Sequence, residues 1–192
     1  MAKTKAYFAG LLFFVLLLAA GSRQLESSSW LGFDVGVGTY TATEKPFDSF
    51  PLIKIRFGHF LSRSWNVGAA LAFTKWSDYL NMYGGKYTFY CLRPAIELSY
   101  VFPSILGSAV TPLSGIAIGY TFYRIKNELG NAYPGGLKDH AFVAPFIGAN
   151  FGLGKNTRGI AKNIFLSARL NWNLNGDFSG LHGSLGLGMK IK

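Results

Sequence analysis

Cysteine is almost missing from this chain. Cys91 stands alone, so no intramolecular disulfide can form. A lone cysteine can act as a nucleophile, but no histidine lies near Cys91 in sequence, and its place on a small-and-polar strand face reads as inert packing. Acidic residues are also scarce, 9 against 19 Lys and Arg, for a formal net charge of +10. That balance raises nucleic acid as a partner. The basic residues, however, are scattered one or two per strand or turn, and Gly-rich alternating segments match no nucleic-acid module. No nucleic acid is expected; anionic lipid headgroups account for the charge. His59, His140 and His182 lie far apart, and there is no His-x-x-x-His element or Asp-rich calcium loop. Neither a metal nor a cofactor is expected. Gly36-x-Gly38 opens no helix and is not a nucleotide-binding loop. Helical apolar periodicity, low-complexity linkers and a second hydrophobic span are absent too.

The single long apolar run is N-terminal. Lys3 and Lys5 precede apolar residues from Ala6 to Ala20, and small residues follow around Ala19-Ala20-Gly21. This reads as a cleaved export signal over residues 1–22, too short for the roughly 20 residues of a membrane-spanning helix. Residues 23–192 then form one domain.

What the remainder has is strand-period alternation. Ile164, Leu166, Ala168, Leu170 and Trp172 point one way, while Ser167, Arg169, Asn171 and Asn173 point the other. Similar segments fall near 30–40, 50–60, 65–76, 87–101, 113–125, 140–151, 163–174 and 181–191, matching the 9–11 tilted residues of a membrane strand. A tight turn at 61–64 contrasts with longer polar connections at 41–49, 77–86 and 126–139. The links at 102–112 and 152–162 are long for periplasmic turns. One face carries residues such as Leu31, Phe33, Ile53, Ile55, Leu71, Leu98, Ile118, Leu185 and Leu187. The other carries Gly, Ala and charge, including Asp34, Lys54, Arg56, Arg93, Glu97, Arg169 and Lys190. An eight-stranded barrel has an interior only wide enough for side chains to fill. Asp34 and Glu97 are therefore expected to pair with Lys54, Arg56, Arg93 and Arg169 inside a charge-filled lumen. A soluble lipocalin-type barrel inverts the faces, but a water-facing wall carries Lys and Glu rather than Gly and Ala. Mid-strand Pro94 and Pro145 are expected to mark local bulges.

These alternating runs, with the terminal segment Leu181–Lys192, resemble the OmpA/OmpX-like small outer-membrane barrels, including the opacity-type β-barrel group. That family commonly ends on an aromatic that assists assembly by the barrel-insertion machinery; this chain ends Met189-Lys190-Ile191-Lys192. The resemblance implies an all-β, eight-stranded, antiparallel, up-and-down transmembrane barrel. It also implies a bacterial outer membrane of Gram-negative type, with lipids and lipopolysaccharide as surroundings.

Some such barrels remodel lipid A, which makes histidines and serines near the outer rim catalytic candidates. His182 and Ser184 share a face in a His-x-Ser spacing similar to lipid A deacylases, but no acidic residue follows Ser184 to orient a base. Ser77 and Asp78, placed just past strand three, are candidates to meet His140 or His182 in a palmitoyltransferase-like set. The leading expectation is a monomeric, non-enzymatic barrel serving envelope integrity or adhesion, with Tyr79, Tyr83 and Tyr133 as loop contacts. A lipid A-modifying enzyme and a narrow, porin-like pore are the alternatives.

Overall fold

The computed structural model describes residues 28–39, 49–80, 85–102, 110–127, 138–153, 163–174 and 180–191. Residues 1–22, Tyr83, Tyr133 and most of the 41–49 and 126–139 connections lie outside them. Eight strands run in order: β1 (Ser29–Thr39), β2 (Ser49–Phe60), β3 (Trp65–Leu80), β4 (Gly85–Val101), β5 (Val110–Asn127), β6 (His140–Gly152), β7 (Ile164–Asn173) and β8 (Gly180–Ile191). Each is antiparallel to its sequence neighbour, and β1 pairs with β8, so the sheet closes on itself. Closure removes the unpaired edge that lipid could not hydrate. The connections β2–β3, β4–β5 and β6–β7 fall at one end of the barrel, called here the turn end, and the other four at the loop end.

Alternation decides the two sides of the wall. Along β2, Phe50, Leu52, Lys54 and Arg56 are buried while Pro51, Ile53, Ile55 and Phe57 are exposed. Every strand contributes at least two exposed large apolar side chains; Ile147 is 61% and Leu185 66% exposed. Six charged residues do the reverse: Asp34, Lys54, Arg56, Arg93, Glu97 and Arg169 are buried, with Asp34 and Arg56 each 1% exposed. A closed barrel with bare Leu, Ile and Phe outside and paired charge inside is built for hydrocarbon, not water.

Three expectations need correction. Residues 77–80 and 85–86 are strand rather than polar loop: β3 runs to Leu80 and β4 starts at Gly85, with Ser77↔Thr88, Asp78↔Tyr87 and Tyr79↔Lys86 in register. The polar side chains there read as a turn, yet cross-strand pairing carries the hairpin past the apolar belt. The link after β4 is likewise shorter than 102–112, because β5 begins at Val110 and absorbs Pro112. Neither mid-strand proline makes a bulge. The β4–β5 ladder skips Arg93 and Pro94 between Leu92↔Phe122 and Ala95↔Gly119 without changing offset. The β6–β7 ladder stops at Phe146↔Asn171, beside Pro145, although Leu174 N–H still donates to Val143 O at 3.1 Å. A missing donor interrupts a ladder without adding a residue.

Candidate functional site: the filled lumen and the outer wall

The lumen is packed in layers from the turn end upward. Trp30 of β1 donates its indole N–H to Asn66 Oδ1 at 3.0 Å, and Asn66 donates to Ser99 Oγ at 3.1 Å. Phe165 meets Trp30 edge-on, with centroids 6.0 Å apart. Glycine makes room for these rings: a Cβ on Gly58 would collide with the Trp30 ring, and one on Gly188 with the Phe165 ring.

Above this floor lie the charges. Arg56 grips Asp34 with two bonds, Nε–Oδ2 at 2.5 Å and Nη2–Oδ1 at 2.6 Å, and also donates to Ser167 Oγ at 2.9 Å. Arg169 donates to Glu97 Oε2 at 2.7 Å, while Lys54 Nζ stands 3.9 Å from Glu97 Oε1. These pairs link β1 to β2, and β7 and β2 to β4, across the interior. The guanidiniums also lie over rings: Arg56 over Trp30 at 5.0 Å, Arg169 over Phe146 at 4.8 Å and Arg93 over Phe142 at 4.2 Å. Such contacts hold a desolvated guanidinium against an apolar wall. Lys190 is different. It is exposed near the turn end and joins none of these pairs.

On the β3–β6 side, Ala70, Ala95, Leu113, Ala117, Phe142, Ala144 and Phe146 form an apolar cluster. Toward the loop end a second cluster of Phe50, Trp76, Tyr87, Phe89 and Cys91 occupies the interior. Phe50 packs on Trp76 at 5.6 Å, and Trp76 stacks on Phe89 at 5.2 Å. Between the layers a cavity of about 30 Å³ remains, lined by Lys54, Arg93, Glu97, Asn171, Asn173 and His182 among others. That is space for about one or two waters.

The aromatic layer escaped the sequence reading, because Phe50, Trp76, Phe89, Phe142 and Phe146 lie on strands whose outward faces are also apolar. The only signal was strand parity: they share faces with Lys54, Ala72, Arg93 and Ala144.

The candidate catalytic residues do not assemble. His182 is 2% exposed and faces the lumen, not the rim. Arg93 Nη1 lies 3.2 Å from its Nδ1, Asn173 Nδ2 3.5 Å from its Nε2, and Phe50 contacts the ring edge-on. Ser184 is buried on the same strand face, and its Oγ makes no hydrogen bond among the described residues, so no Ser–His pair forms. His140 begins β6, 3.1 Å from Lys138 O and 5.7 Å from the Tyr123 ring. Ser77 lies within β3, not past it, and faces outward, sharing a 2.9 Å hydrogen bond with Thr88. Ser77 is therefore on the opposite side of the wall from both histidines. The Asp78 side chain lies outside the described residues. Among the described residues no three His, Cys, Asp or Glu side chains converge as metal ligands.

No family model matches the chain, and no curated protein matches it. Solved structures do. The outer membrane protein OprG from Pseudomonas aeruginosa superposes with a TM-score of 0.59 at 14% identity, over 86% of this chain and 95% of that one. Ail, the attachment invasion locus protein of Yersinia pestis, solved with the heparin analogue sucrose octasulfate, gives 0.52 at 13% identity, over 86% and 97%. The N-terminal β-barrel domain of Pseudomonas aeruginosa OprF gives 0.51 at 12% identity, over 85% and 97%. Closure at eight strands, an apolar outer belt, a filled lumen and these likenesses agree: the chain has the fold of the small eight-stranded outer-membrane β-barrels.

Proposed function

We propose that this protein is a non-enzymatic barrel of the bacterial outer membrane, exported with a cleaved signal, whose work is done by its outer wall and loop end. The observation that carries the reading is the filled lumen. Paired charges and two ring layers occupy the space that a pore or an acyl-chain pocket would need. Envelope integrity or adhesion fits a molecule with a closed interior and a rigid wall. The structural likeness to Ail, an attachment invasion locus protein by name, supports the adhesion form of this reading. Loop segments 41–49 and 126–139, with Tyr83 and Tyr133, would supply the contacts.

Two measurements test this, one on a strain pair and one on the purified protein. Lipid A from a deletion strain, analysed by mass spectrometry, should be identical to that of the parent. Purified barrel in a planar bilayer should give no discrete conductance steps. A changed acylation pattern would make the protein a lipid-modifying enzyme, and regular steps would make it a pore.

A further inference from the structure

Three basic residues far apart in sequence are brought together by the strand register at one place on the outer wall. Lys75 of β3 is opposite Tyr90 of β4, and Tyr90 is opposite Arg124 of β5. One row further toward the loop end, Ser77 is opposite Thr88, and Thr88 is opposite Lys126. Lys75, Arg124 and Lys126 are all exposed. Lys75 Nζ lies 5.6 Å and Lys126 Nζ 5.8 Å from the Tyr90 ring centroid, so one ring carries two ammonium groups. None of the three cations has a carboxylate partner among the described residues. Arg124 and Lys126 lie two residues apart on one face of β5, and Lys75 faces them across β4; like charges so placed repel. An anion seated among them would reverse the sign of that energy.

Position names the anion. The next row toward the barrel middle is Phe73, Leu92 and Phe122, all exposed at about 40% and part of the lipid-facing belt. The cations therefore stand at the level where hydrocarbon gives way to headgroups, on the wall rather than on the loops. The Ser77 and Thr88 hydroxyls share a 2.9 Å hydrogen bond in which one donates to the other, leaving one O–H to donate into the same patch.

We propose that Lys75, Arg124 and Lys126, with Tyr90, Ser77 and Thr88, form a docking site for the phosphate of a glycolipid headgroup in the leaflet at the loop end. The acyl chains of that lipid would lie along Phe73, Leu92 and Phe122. Ammonium and guanidinium groups bind phosphate oxygens by charge-assisted hydrogen bonds. The site rests on the outer-membrane reading above and gives that reading a specific lipid contact.

The test titrates fluorescent diphosphoryl lipid A into the folded full-length protein in zwitterionic detergent, followed by anisotropy. Wild type should bind saturably, and dephosphorylated lipid A should not. Each basic residue at an anionic surface contributes on the order of a fivefold factor, so the K75Q/R124Q/K126Q triple variant should bind about a hundredfold more weakly. Lys75→Gln and Lys126→Gln singly should each lose about fivefold by the same estimate. These outward positions leave the lumen intact, so the variants should keep the compact, faster gel band of an unboiled folded barrel. Equal binding by wild type and the triple variant overturns the site, as does a comparable loss in Arg63→Gln at the turn end. Displacement by equimolar inorganic phosphate would make the ligand free phosphate and overturn the lipid assignment. Absence of the compact band in wild type would overturn the barrel reading itself, and the site with it.

Discussion

At the residue scale, the wall of this barrel is set by what each side chain does on one of two faces. Asp34 and Arg56 show the inner rule. Removing one member of a buried ion pair leaves a bare charge and typically costs about 3–5 kcal/mol, whereas replacing both with apolar residues costs far less. Asp34→Asn should therefore lower the denaturant midpoint of detergent-folded protein sharply, and the double variant Asp34→Leu with Arg56→Leu should recover most of the loss. A single variant as stable as wild type would contradict the pairing. Gly186 and Gly183 show what the tight inside and open outside permit. A Cβ on Gly186 would overlap Asp34 Oδ1 and lie 2.6 Å from Phe33 O, while one on Gly183 would meet nothing within 4 Å. Gly186→Ala should destabilise by about 1–3 kcal/mol, the usual range for overpacking, and Gly183→Ala by close to zero. Thermal unfolding of the two side by side checks the contrast; equal effects would mean the β1–β8 seam is looser than described.

At the element scale, the strands were legible wherever one face was apolar and the other was not. Ile53, Ile55 and Phe57 against Lys54 and Arg56 leave no doubt about β2, and Asp34 and Glu97 could be placed inside by parity alone. Legibility failed where composition stopped alternating. The end of β3 and the start of β4 carry Ser77, Asp78 and Lys86, which read as turn residues, although pairing across the hairpin keeps them extended. Phe142 and Phe146 sit inside while Val143 and Ile147 sit outside, so β6 is apolar on both faces and its lumen contribution was invisible. The Lys75–Tyr90–Arg124 row was hidden for a different reason: register between distant residues is fixed only when the strands pair. The prolines give this scale its own test. Pro145→Val restores a backbone donor beside the β6–β7 seam, and one added ladder bond contributes about 0.5–1.5 kcal/mol net. Amide exchange at Trp172 and Asn173 should slow accordingly. Unchanged exchange would mean that something other than the missing N–H holds the seam open.

At the scale of the whole molecule, the claim is that eight strands close around charge and rings and turn their hydrocarbon side chains to lipid. An inverted barrel, with an apolar calyx and a polar exterior, uses the same alternation and differs only in which face is outside. The segment from Ile116 to Phe122 separates the two, because Ile116, Ile118 and Phe122 are exposed while Ala117 and Thr121 are buried. The most direct measurement is a single-cysteine scan of residues 116–122 in a Cys91→Ser background, each site carrying a fluorophore and read with spin-labelled lipid as quencher. Strong quenching at 116, 118 and 122, with weak quenching at 117 and 121, is the expected period-two pattern. Quenching at 117 and 121 instead, or no quenching at any site, would contradict a lipid-facing outer wall.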